Sequence, residues 1–322
     1  MWGKPKIGLA LGAGGARGVA HIGVLKVFQK EGIPIDIIVG ASIGSLVGAA
    51  YAVNPDSLEL EKQVCRVLSN KEAQYPGLKR LQRIHRPDPP RSDLIRRIAR
   101  IAEKEVFLNL AIVRNALLSE KDLRECVEAF IPDMEVTDTV IPFAATAVDL
   151  VSGREVVLDR GSLVRAVMAS CATPGFMPPV PWDEMLLVDG GIVGNLPVEP
   201  AKTMGADVVI GVDVGCSIQR GRAIEDGIDV IHRTTEIMEF YLNLHRKQAA
   251  DLIIEPAVKE KEWTDFLDYE TLIKKGEAAA LSKITEIRRL LKPRLSRRII
   301  SDPKKWVASL RNNAPAKTLP VR

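Results

Sequence analysis

The sequence predicts an α/β protein built on a mainly parallel central sheet. Two apolar runs near the N-terminus, residues 6–11 (KIGLAL) and 35–39 (IDIIV), each pass through a glycine-rich turn into a helical pattern. A third run, residues 207–214 (DVVIGVDV), is apolar almost throughout, as a parallel strand buried on both faces requires. Repeated strand, loop and helix units place their loops at one sheet edge, where ligand sites of open α/β sheets lie.

The first strand runs into Gly12-Ala13-Gly14-Gly15-Ala16-Arg17-Gly18, and a helix over residues 19–30 follows with a broad apolar face of Val19, Ile22, Leu25, Val27 and Phe28. Gly32 supplies its cap. After the second strand comes Gly40-Ala41-Ser42-Ile43-Gly44 and a small-residue helix. Residues 66–140 change character: within 79–104 nine basic residues face three acidic ones, broken by Pro87, Pro89 and Pro90. The stretch reads either as a solvated helical insertion or as a basic cap that meets anionic membrane headgroups. Residues 117–130 form an amphipathic helix with Ser119 as N-cap and Asp122 three positions on, close to a capping box. Strands follow at 141–148 and 155–158, a helix at 162–171 stopped by Pro174, and a strand at 180–188 ending in Asp189-Gly190-Gly191. A helix at 197–205 leads into the 207–214 strand, and helices at 224–248 and 269–291 bracket a last strand at 252–255. Residues 293–322 are a basic tail.

Composition narrows the function classes. The 322 residues are 46% hydrophobic, 27% charged and 5% aromatic, the balance of a globular protein. A net charge of +4 argues against a dedicated nucleic-acid binder. The four cysteines, Cys65, Cys126, Cys171 and Cys216, make no Cys-x-x-Cys pair and read as buried free thiols. A secretory leader and a membrane-length apolar run are both missing from the pattern, so a cytoplasmic protein is expected.

Ser42 is the candidate nucleophile. A bare Gly-x-Ser-x-Gly arises by chance in about one chain in ten of this length. Here an apolar strand precedes it and a Gly/Ala-rich helix follows, the context in which a nucleophile elbow has mechanical meaning. Gly40 and Gly44 remove the Cβ atoms that collide when a strand reverses into a helix. The first glycine loop has three competing readings. A dinucleotide fingerprint counted from Gly12 puts Arg17 where its third glycine belongs, and a P-loop lacks its Gly-Lys-Ser/Thr. An oxyanion hole built from loop amides suits an adjacent parallel strand carrying Ser42.

A serine hydroxyl needs a base. His21, His85, His232 and His245 are the only histidines, and none follows a late strand as a hydrolase triad of the order Ser, Asp, His demands. Asp189 ends an apolar strand and precedes two glycines; sheltered from water its carboxylate becomes a competent base. A turn residue is the bland alternative for it.

These residues resemble the patatin-like phospholipase family. Gly14-Gly15-Ala16-Arg17-Gly18, Gly40-Ala41-Ser42-Ile43-Gly44, Ala169-Ser170-Cys171-Ala172-Thr173-Pro174 and Asp189-Gly190-Gly191 occur in that family's order. The resemblance implies a three-layer α/β/α fold and a Ser-Asp dyad hydrolysing acyl ester bonds of phospholipids, lysophospholipids or related lipids, with no metal or cofactor. It makes Ser42 the nucleophile, Asp189 the base, and the amides of Gly14 and Gly15 the oxyanion hole, with Arg17 positioning the loop. Ala13 stands where the family often has a further glycine, and it too carries an N–H for the hole. The implied catalytic core covers 6–214 with the insertion at about 66–140, and residues 215–292 pack on it. The competing expectation is a regulatory or lipid-binding protein that keeps this fold and turns over little.

Overall fold

A computed structural model of the chain describes residues 4–69, 116, 118–215, 217–218, 224, 227–261, 265–266 and 268–292. The basic stretch 79–104, most of the 66–140 insertion and the 293–322 tail lie outside the described residues, and with them the headgroup-contact reading.

The chain order is β1 (Ile7–Leu11), a 3-10 turn (Gly15–Val19), α1 (Ala20–Lys30), β2 (Ile37–Ala41), α2 (Ile43–Val53) and α3 (Ser57–Ser69). It resumes with α4 (Glu120–Glu128), β3 (Phe143–Asp149), β4 (Glu155–Leu158), α5 (Leu163–Ser170), β5 (Val180–Trp182) and β6 (Met185–Asp189). Then follow α6 (Val198–Thr203), β7 (Val208–Val212), α7 (Gly227–Gln248), β8 (Leu252–Ile254) and α8 (Tyr269–Leu290). The eight strands form one sheet of order β5-β6-β3-β2-β1-β7-β8, with β4 added to β3. Strands β3, β2, β1, β7 and β8 run parallel, while β4, β5 and β6 pair antiparallel. This is the mixed α/β fold the sequence predicts, a central sheet flanked by helices.

Alternation along each strand divides the core. Ile7, Leu9, Leu11, Ile38, Val208, Ile210 and Val212 join one large apolar cluster that takes in α1, α2, α5 and α8. Their neighbours Ala10, Val39 and Val209 face the other way onto Val198 and Ala201 of α6. Both faces of β1, β2 and β7 are therefore buried, which explains their nearly continuous apolar text. The strand expected at 180–188 is a hairpin. Asp183 adopts a positive φ of 50° at its tip, a conformation a short polar side chain tolerates. Ser119 and Asp122 form a full capping box on α4. Among the described residues no helix is long and apolar enough to cross a membrane.

The register of β3 positions the site. Ala145 pairs with Gly40 of β2 and with Leu158 of β4, and a strand has two edges, so β2 and β4 lie on opposite sides. Ala147 pairs with Val156 of β4 and with Asp189 of β6, so β6 lies on the β2 side. Strand β2 occupies that edge as far as Thr146, opposite Ala41, and β6 takes over at Ala147. Ser42, the residue after Ala41, and Asp189 therefore meet end to end along one edge.

Candidate active site

Ser42 sits at φ 52° and ψ −125°, one of two non-glycine residues with positive φ among the described residues. Such a conformation costs about 1–3 kcal/mol and persists only where the surroundings enforce it. Here β2 must turn at once into α2, and the turn is dense. A Cβ on Gly40 would lie 2.4 Å from the Gly44 carbonyl oxygen, and one on Gly44 would lie 2.2 Å from the Leu11 carbonyl oxygen. The Ser42 carbonyl accepts the Ser45 amide at 2.8 Å and the Ser45 hydroxyl at 2.6 Å, closing the first turn of α2. The helix N-terminus thereby faces the nucleophile, where it favours negative charge.

The segment after α5 braces both members of the pair. The Ser42 amide donates to Ser170 Oγ at 2.9 Å. The Asp189 amide donates to the Ala172 carbonyl at 3.0 Å, and Thr173 Oγ1 donates to Asp189 Oδ2 at 3.0 Å. Asp189 Oδ1 accepts the Gly191 amide at 2.8 Å. The sequence marks this Ala169–Pro174 stretch as a motif but gives Ser170 and Thr173 no task; in the structure Ser170 holds the Ser42 amide and Thr173 the Asp189 carboxylate. Nothing local in the chain signals it, because each bond joins residues far apart or on different elements.

Asp189 is buried, and burial pushes its pKa above the usual carboxylate value. Hydrogen bonds from Gly191, Ser42 and Thr173 pull in the opposite direction, and burial prevails. The result is a carboxylate in contact with the Ser42 side chain and more basic than an exposed one.

The glycine loop lies beside them. No acceptor among the described residues takes the Gly14 or Gly15 amide. Arg17, itself buried, donates from Nε to the Gly14 carbonyl at 3.0 Å. That carbonyl and the Gly15 N–H belong to one trans peptide and point in opposite directions, so Arg17 aims the Gly15 N–H. The expectation that Ala13 adds an N–H to this hole does not hold: its amide is donated to the Asn195 carbonyl at 2.9 Å. Alanine is tolerated there because its amide serves as an anchor of the loop.

His21 is fully buried in α1, and burial lowers its pKa to about 4. Its Nε2 meets the Gly12 carbonyl at 2.9 Å, so it braces the loop as a neutral ring. His245 is exposed on α7, and His85 and the His232 side chain lie outside the described residues. Cys171 lies 3.8 Å from Ser45 Oγ, and burial pushes its thiol up to about 12, which keeps it inert. Among the described residues no cluster of three or more His, Cys, Asp or Glu could hold a metal.

Ser42, Asp189, Gly14, Gly15 and Arg17 all line one cavity of about 1070 Å³. Much of the remaining wall is apolar, including Leu46 and Val47 of α2, Val64 of α3, Val127 of α4 and Phe130, while Arg233, Glu236, Glu239, Lys259 and Lys261 add charged groups.

The family model for patatin-like phospholipases matches residues 9–202. The chain is 32% identical over 211 residues to patatin-like phospholipase domain-containing protein 6 of Mus musculus, covering 65% of this chain and 13% of that protein. It is 33% identical over 211 residues to the neuropathy target esterase sws of Drosophila melanogaster, again 65% of this chain and 13% of the relative. Lysophospholipase nte1 of Aspergillus fumigatus is 31% identical over 209 residues, covering 65% of this chain and 12% of that protein. The match thus spans about an eighth of these relatives. Among solved structures, VipD from Legionella pneumophila aligns with a TM-score of 0.47 and 16% identity over 88% of this chain and 67% of its own.

Proposed function

Since the chain belongs to the patatin-like phospholipase family, we propose that it is a serine acyl hydrolase of lipid esters working through a Ser42–Asp189 dyad. The observation that carries the reading is the register of β3, which brings the ends of the strands bearing the strained Ser42 and the buried Asp189 together on the wall of a largely apolar cavity.

The chemistry follows from the geometry. Asp189 takes the proton of Ser42 Oγ as that oxygen attacks the ester carbonyl. The Gly14 and Gly15 amides donate hydrogen bonds to the oxyanion that develops on the carbonyl oxygen, and the N-terminus of α2 adds its dipole. Collapse expels the alcohol, which takes the proton from Asp189, and leaves the acyl group on Ser42. Asp189 then removes a proton from water as the water attacks the acyl carbon; collapse breaks the bond to Ser42 Oγ, which takes that proton back from Asp189, and the fatty acid leaves. The cavity is at the upper end of the roughly 300–1,000 Å³ range of small-molecule sites, and its apolar walls suit an acyl chain. One relative is named a lysophospholipase, which makes a lysophospholipid the first natural ester to offer.

The test compares wild type with Ser42→Ala and Asp189→Asn on a chromogenic ester series and on a lysophospholipid. Loss of turnover in both variants, with folds intact by circular dichroism, is the expected result. Wild type as inert as Ser42→Ala on every ester would overturn the hydrolase reading and leave a lipid-binding protein of the same fold.

A further inference from the structure

Of the polar side chains that line the cavity and have no part in the mechanism above, one is tied directly to the residue that anchors the glycine loop. Glu239 projects from α7, far along the chain from every motif, and it is half-buried. Its Oε1 accepts a hydrogen bond from Asn195 Nδ2 at 2.9 Å. Asn195 is 3% exposed and is the residue whose carbonyl anchors the Ala13 amide. Glu239 also feels the charge of Arg17, the residue that holds the Gly14 carbonyl. Two of the groups that hold the glycine loop are thus touched by one carboxyl group, Asn195 by a hydrogen bond and Arg17 by charge.

We propose that Glu239 is a positioning residue of the ester-hydrolysing site, whose ionised carboxylate steadies the glycine loop through Asn195 and Arg17. The inference rests on the Ser42–Asp189 reading. Two physical effects give it direction. A negative charge facing Arg17 keeps the guanidinium at its post on the Gly14 carbonyl, and so keeps the Gly15 N–H aimed. The same charge near Asp189 makes that residue's proton uptake easier. Protonating Glu239 removes both effects while leaving Oε1 able to accept from Asn195.

The surroundings put this switch near neutrality. Burial raises the Glu239 pKa to about 7; Arg17 opposes the rise, and the carboxylates of Asp189, Glu236 and Asp213 add to it. Each of these faces it from a different place. Arg17 comes from the 3-10 turn and Asp189 from the end of β6. Glu236 lies one turn earlier on α7 in an ion pair with Arg233, and Asp213 follows β7 in ion pairs with Lys247 and Lys259. Activity should therefore climb as pH passes through 7 and Glu239 becomes charged.

Glu239→Gln keeps the shape and an oxygen for Asn195 and removes the charge. Three readouts test it: kcat and KM on a chromogenic ester from pH 5 to 9, the rate of Ser42 labelling by a fluorophosphonate, and the melting temperature over the same range. Wild type should show a limb near pH 7 in kcat and in labelling. In the variant that limb should vanish, with kcat at pH 8 lowered several-fold and KM nearly unchanged. The stability readout has its own sign. A carboxyl group whose folded pKa lies above its unfolded value of about 4.3 stabilises the fold at low pH and loses that contribution as pH rises. Wild type should thus lose melting temperature relative to the variant between about pH 4.3 and 7. An unchanged limb in Glu239→Gln would assign it to Asp189 and overturn the inference, as would a melting-temperature difference flat across that window. Wild type that neither hydrolyses esters nor labels at Ser42 would take down the dyad reading itself, and the positioning role with it.

Discussion

Gly44→Ala is the sharpest probe of how the elbow is held. The new Cβ would sit 2.2 Å from the Leu11 carbonyl oxygen, 2.6 Å from its carbon and 2.8 Å from the Gly12 carbonyl oxygen. All three are backbone atoms, in β1 and in the loop that follows it, so no side chain can swing aside. Restoring an ordinary contact needs about 1 Å of movement between α2 and β1. Overpacking of that kind costs about 1–3 kcal/mol. In a protein larger than 250 residues this lowers Tm by about 2 °C or less per kcal/mol.

The catalytic cost should be larger than the stability cost. Ser42 heads α2 and Gly12 opens the glycine loop, so the clash separates the two parts that the proposed mechanism brings to one carbonyl. A displacement of about 1 Å at such a site costs about 10² in rate. The assay is fluorophosphonate labelling of Ser42 with Tm measured in parallel. Gly227→Ala is the control, because a Cβ there meets nothing within 4 Å. Wild-type labelling and Tm in Gly44→Ala would show that the β1 backbone yields and that the elbow is not pinned against it.

Thr173→Val removes the donor to Asp189 Oδ2 at nearly constant volume, and a hydrogen bond to a charged group is worth about 1.5–3 kcal/mol. The lost bond favoured the ionised carboxylate, so the Asp189 acid limb should move to higher pH. Read by pH–rate profiles in the Glu239→Gln background, an unmoved limb would refute the bracing role. Ser170→Ala leaves the Ser42 amide without its acceptor, at a cost of about 1–3 kcal/mol, and should slow labelling while the far-ultraviolet circular dichroism stays unchanged. Ser119→Ala removes the α4 cap and should cost about 1 kcal/mol in denaturant unfolding with no change in kcat, since it touches only the helix terminus.

The parts legible in the sequence are those a short stretch of chain determines. Gly40, Ser42 and Gly44 announce a turn because the turn's density is local, and the apolar runs announce β1, β2 and β7 because both of their faces are buried. The parts that were not legible are set by pairing across the sheet. Ala13 looked like an oxyanion donor from its place in the loop, yet its amide is committed to Asn195, which is 182 positions later. Ser170 and Thr173 carried a motif without a task, and Glu239 carried no signal at all on a helix whose exposed Ile231, Met238 and Tyr241 blur any amphipathic pattern.

The same contrast explains how the proposed Ser42–Asp189 pair can be assembled with so little local signal. Serine and carboxylate come from strands about 150 residues apart, and something other than closeness in the chain must bring them together. One edge of β3 does so, because β2 leaves it after Thr146 and β6 takes it up at Ala147. Gly190 lets β6 approach that closely, since a Cβ there would fall 2.5 Å from the Thr146 carbonyl oxygen. The pair's alignment is therefore a matter of backbone register. Register resists change, because slipping by one residue would turn every side chain of the strand to the opposite face. Substitutions that keep the β3 ladder should leave Ser42 and Asp189 matched even when they loosen the core. Substitutions at the Thr146–Ala147 handover should separate them while the fold survives.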